Sequence, residues 1–77
     1  MPPVNQPIPC FLNEQIKFGV RGGRQIWVSL DKARYFTWDS LHGGIEVFNK
    51  RGWHLGSLDA ISGEFIKEAV KGRKINV

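Results

Sequence analysis

The residues of this chain that could do chemistry are cations interleaved with flat rings. Arg21, Arg24 and Trp27 precede Lys32, Arg34, Tyr35, Phe36 and Trp38, and Lys50, Arg51, Trp53 and His54 follow. Cations neutralise phosphates, and aromatic faces stack on unpaired bases, so the mixture suits single-stranded RNA. A competing reading is structural, because tryptophans in a small domain mostly build core. Of the three tryptophans, two are expected in the core. Trp53, between Arg51 and His54 beside a turn, is expected at the surface.

His42 and His54 are a second candidate, an acid and base pair for RNA cleavage, since imidazole titrates near neutral pH. A histidine beside glycine is also a common turn residue. Gly22-Gly23, set between Arg21 and Arg24, is a third candidate. Its backbone N–H groups could cradle a phosphate, or the pair could simply link two elements. No paired-carboxylate spacing, nucleophile elbow or metal motif is present, and no cofactor is implied.

Composition narrows the partner. The chain has 77 residues, one domain's worth, with 42% apolar and 12% aromatic residues, which is enough for a folded core. Its formal charge of +4 and pI near 9.7 favour an anionic partner. A single cysteine, Cys10, allows no internal disulfide, and with His42 and His54 alone it falls short of a four-ligand zinc site. Prolines and apolar neighbours around Cys10 do not make a reactive thiolate. No stretch approaches the roughly 20 apolar residues of a spanning helix, and the N-terminus lacks a signal-peptide pattern. The expectation is a protein that does not engage a membrane and works in the cytosol.

These residues need a scaffold. Pro2, Pro3, Pro7 and Pro9 make residues 1–10 an extended arm, with or without fixed structure. Phe11, Leu12, Ile16 and Val20 recur at near-helical spacing and predict an N-terminal helix. From Arg24 onward the period becomes two. Strands are expected over 25–30, 33–38, 45–49 and 53–58, with a hairpin turn at Lys50-Arg51-Gly52. Asp59 and Gly63 carry turn chemistry, followed by a short strand over 64–67. The rival for that last segment is a helix over 62–71. The expected fold class is α+β: a small antiparallel sheet of four to five strands, with the N-terminal helix packed on one face, spanning residues 11–77.

The run Tyr35-Phe36-Thr37-Trp38-Asp39-Ser40-Leu41-His42-Gly43-Gly44-Ile45-Glu46-Val47-Phe48, then Gly52-Trp53-His54-Leu55-Gly56-Ser57-Leu58-Asp59 and Ser62-Gly63, resembles the ribonuclease domain of colicin E-five. The likeness covers about residues 24–67 and rests on a two-part spacing; Ile26 and Trp53 depart from the pattern. The resemblance implies a metal-free nuclease that cuts tRNA in the anticodon loop and leaves a 2′,3′-cyclic phosphate. It implies catalysis without histidine, by cations aimed at the developing charge. Arg24, Lys32, Arg34 and Asp39 would then form the catalytic set, Asp39 reading a guanine edge. Arg21, Trp38, Lys50, Arg51, Trp53 and His54 would hold RNA. The implied partners are the tRNA anticodon loop and an acidic antitoxin or immunity protein. Because the chain starts with Met and carries no translocation domain, a free-standing toxin or an excised domain is expected rather than a whole colicin. A non-catalytic RNA-binding module, and a structural or protein-binding sheet module, are the other readings the sequence leaves open.

Overall fold

A computed structural model describes residues 3–77. Six strands, β1 (Ile16–Arg21), β2 (Arg24–Val28), β3 (Arg34–Asp39), β4 (Gly44–Asn49), β5 (His54–Leu58) and β6 (Phe65–Glu68), make one sheet in chain order. Every neighbouring pair is antiparallel. The described part of the proline-rich arm forms neither helix nor strand and bends at residues 8 and 9, and residues 1 and 2 lie outside the described residues.

This corrects the α+β expectation: the fold is mostly β. In place of the N-terminal helix there is one 3-10 turn at Phe11–Glu14, followed directly by β1. Ile16, Phe18 and Val20 alternate as well as they recur at helical spacing, and Gly19 would cost a helix about 1 kcal/mol. A ten-residue helix is marginal in any case. The Gly22-Gly23 pair settles the competition. Both residues have positive φ, 59° and 75°, the geometry of a two-residue hairpin loop whose twist matches its strands. The pair thus joins β1 to β2 rather than a helix to a strand. The rival helix over 62–71 is also absent, and β6 occupies part of that stretch.

Alternation sorts the residues of the sheet onto two faces. On one face Trp27, Phe36, Val47 and Leu58 join Ile45, Cys10 and Leu12 in the main core. The 3-10 turn does the covering expected of a helix: Leu12 is buried, and the Phe11 ring meets Phe36 edge-on at 5.6 Å. The arm straps the same side, with the Val4 N–H donating to Ser40 O at 2.7 Å and Trp38 Nε1 donating to Val4 O at 2.9 Å.

The second face carries Ile26, Thr37, Glu46 and Ser57 as register neighbours across β2 to β5, with Tyr35, Phe48 and His54 beside them. Residues 70–77 return over it. Val70 N–H donates to His54 Nδ1 at 2.8 Å, His54 N–H to Arg73 O at 3.0 Å, and Ile75 N–H to Gly52 O at 2.9 Å.

Gly52 makes that return possible. Its φ is +88°, and a Cβ there would stand 2.2 Å from Ile75 O. Gly72 has a similar φ, +86°, but open space around it. Gly52→Ala is therefore expected to lower stability by about 2–3 kcal/mol and to speed hydrogen exchange at the Ile75 amide. Gly72→Ala should cost only the left-handed strain, about 1 kcal/mol. Urea denaturation and amide exchange read both; equal costs at the two sites would refute the close-approach argument.

Acid sensitivity follows from the β5–β6 turn. Hydrogen bonds from the Ser62 and Ile61 backbone N–H groups hold the Asp59 carboxyl below its ordinary pKa. A depressed carboxyl stabilises fully above its unfolded pKa and loses that contribution as pH falls through its folded value. Urea midpoints should be flat above about pH 5 and fall below about pH 4. In Asp59→Asn, which keeps the acceptor oxygen, the acid drop should be smaller.

Candidate active site

The β3–β4 hairpin supplies the first two groups. Asp39 ends β3, and its Oδ1 accepts the Leu41 and His42 N–H groups at 3.0 and 3.2 Å. Gly43 closes the turn at φ +70°, donating to Asp39 O at 2.8 Å. The remaining oxygen, Oδ2, meets His42 Nδ1 at 2.8 Å. One carboxylate thus shapes the loop and orients the ring. An ionised acceptor at Nδ1 fixes the proton there and leaves Nε2 as the working atom of a side chain 58% exposed. Partial burial acts to raise the Asp39 pKa, and the bonds from the His42 ring and the His42 and Leu41 backbone outweigh it, so the carboxyl lies below its ordinary value.

Glu46 supplies the third group. It sits in β4, whose residues are buried from Gly44 to Phe48. Its Oε1 accepts Arg73 at 2.9 Å, and its Oε2 accepts Ser57 Oγ at 3.1 Å and the His54 ring Nε2. The His54 side chain is buried, and its Nδ1 accepts Val70 N–H. That contact places the ring proton on Nε2, so His54 donates to Glu46 and positions it.

Asp39, His42, Glu46 and Arg73 line one open depression of about 350 Å³, with Arg24 and Lys74 on its wall. Two carboxylates, an exposed imidazole and three cations around one hollow can move protons and stabilise an anion. Among the described residues no group of three or more His, Cys, Asp or Glu is arranged to hold a metal ion.

The sequence-derived candidates divide between faces and ends. Arg24 and Asp39 reach the depression, and Arg21 lines the groove that continues from it. Lys32 sits at the exposed β2–β3 turn with φ 63°, held by Asp31, and is not brought to the cluster. Arg34 shares the core face of β3 with Phe36 and lies over the Phe65 ring at 5.6 Å. Trp38 is on that same face, half-buried under Val4. Lys50 and Arg51 stand on the β4–β5 turn, Arg51 lining the far end of the groove. Trp53 is the exposed tryptophan, 43%, with Lys74 Nζ 5.1 Å over its ring. His54 lies behind Glu46, away from solvent.

Glu46 and Arg73 were absent from the sequence-derived set. Glu46 did carry a signal: it is the one charge in the strand Gly44–Asn49, where an apolar run would serve a core better. Arg73 carried none, because its partner is 27 residues away.

No curated protein matches the chain. The family model described as Cytotoxic matches residues 7–76, nearly the whole chain and all of the site. The chain therefore belongs to the Cytotoxic family, the ribonuclease domains of colicin-type toxins.

Proposed function

We propose that the protein is an endoribonuclease toxin that cuts RNA by in-line attack of a ribose 2′-hydroxyl on the adjacent phosphorus, without a metal. The observation that carries this reading is the shared hollow of Asp39-oriented His42, Glu46 and Arg73. Glu46 accepts the 2′-hydroxyl proton as O2′ bonds to phosphorus. The P–O5′ bond breaks, and His42, entering as the doubly protonated imidazolium with its Nδ1–H on Asp39, gives the Nε2 proton to O5′ and is left neutral. The products are a 2′,3′-cyclic phosphate and a 5′-hydroxyl. Arg73, with Arg24 and Lys74, faces the charge that builds on the phosphoryl oxygens. Asp39 holds the His42 ring, and His54 and Ser57 hold Glu46.

The substrate that the sequence resemblance implies is the tRNA anticodon loop. A second reading is favoured by the site itself. The resemblance implies catalysis by cations alone, whereas this hollow offers an acid and base pair. That pair supports the other RNA class cut within the family, 16S ribosomal RNA. Both substrates place the action in the bacterial cytosol. Either makes an acidic immunity protein, covering the basic groove, the fitting partner.

The test is incubation of the protein in EDTA with total tRNA and, separately, with ribosomes, followed by end-mapping. A single cut ending in cyclic phosphate supports the reading, and the RNA that is cut names the substrate. His42→Ala and Glu46→Gln are each expected to lose about 10²–10⁴-fold in rate, and Arg73→Ala about 10²-fold. Lys32→Ala should stay within about threefold, since losing a working donor costs far more. The opposite order, with Lys32 essential and His42 dispensable, would return catalysis to a purely cationic mechanism. No cut in either RNA would end the nuclease reading.

A further inference from the structure

Next to the catalytic hollow, the groove contains a pocket that the cleavage chemistry does not use. It is about 350 Å³ and is lined by Arg21, Arg24, Ile26, Thr37, Lys74 and Asn76 among others. Arg24 and Lys74 also wall the catalytic hollow, so the two spaces adjoin.

The pocket's floor is unusual. Thr37 is only 1% exposed, and its Oγ1 has no hydrogen-bond partner among the described residues. Its register neighbour Ile26 is 2% exposed and apolar. A buried hydroxyl without a partner is costly, and valine has the same shape without that cost. A polar atom held unpaired at the base of a cation-rimmed pocket is one kept for a ligand. The rim cations suit phosphates, and the apolar floor suits the face or edge of a base.

We infer that this pocket is a base subsite: it takes one unpaired nucleotide of the RNA beside the scissile bond. Thr37 Oγ1 bonds the base edge, Ile26 packs against the base, and Arg21 and Arg24 hold its flanking phosphates. The subsite rests on the nuclease reading for its place in the reaction, but its binding is measurable without any cleavage.

The experiment uses 2′-O-methyl 12-mers of A, C and U, which cannot be cut because the attacking hydroxyl is blocked. Fluorescence anisotropy reads their affinities for the full chain, for Thr37→Val and for Arg24→Ala. The wild-type protein is expected to prefer one base about tenfold, the worth of one hydrogen bond to a buried partner. Thr37→Val should abolish that preference with a melting temperature no lower than wild type. Arg24→Ala should weaken all three oligomers alike and reduce the salt slope, as a phosphate contact does. A wild-type protein without preference, or a Thr37→Val protein that keeps it, overturns the subsite. Absence of cutting in the EDTA assay, with the base preference intact in this one, would overturn only the nuclease reading.

Discussion

The structure is organised around one buried negative charge. Glu46 is 9% exposed in the middle of a buried strand, where an unpaired carboxylate would be very costly. Its compensation comes from distant parts of the chain: Ser57 and His54 from β5, and Arg73 from the returning C-terminal segment. His54 in turn is fixed by Val70. Satisfying this one group therefore dictates where residues 70–77 lie and what becomes of the second face of the sheet. A charge that would weaken a plain core strand becomes the reason for a concave, cation-lined surface.

The two faces divide the work. One buries the large rings and aliphatic side chains under the 3-10 turn and the arm, and supplies the stability. The other holds the polar cluster and the groove. A small sheet that buries most of its large apolar side chains on one face can leave much of the opposite face to polar groups. The turns matter as much as the strands. Asp39 shapes the loop that carries His42, and Gly52 lets the backbone of the last segment pass close enough for Arg73 to reach Glu46.

Legibility in the sequence followed interaction range. The hairpins from β2 to β6 could be read because alternation and turn residues act locally: Gly52 and Gly63 stand at positive φ as their positions suggest. The stretch 11–20 could not, because its apolar residues fit both periods and the deciding feature was the Gly22-Gly23 turn downstream. The catalytic set named from the chain reads as one surface, yet Arg34 and Asp39 point to opposite faces of a single strand. His42 could be singled out by type, but its partner Asp39 was assigned to base reading rather than to the ring beside it. Arg73 was beyond reach, since nothing near it in the chain reveals a carboxylate 27 residues away.

The return of residues 70–77 has a consequence for when the molecule becomes competent. The meander is built from neighbouring hairpins, and such local contacts form early in folding. A chain at that stage has Asp39 and His42 in place, but Glu46 lacks its guanidinium and His54 lacks the amide that orients it. The contact between Arg73 and Glu46 that completes the cluster spans 27 residues and lies outside the hairpins of the meander. A chain held short of that closure, by whatever means, carries the whole sheet but an incomplete cluster of Asp39, His42, Glu46 and Arg73.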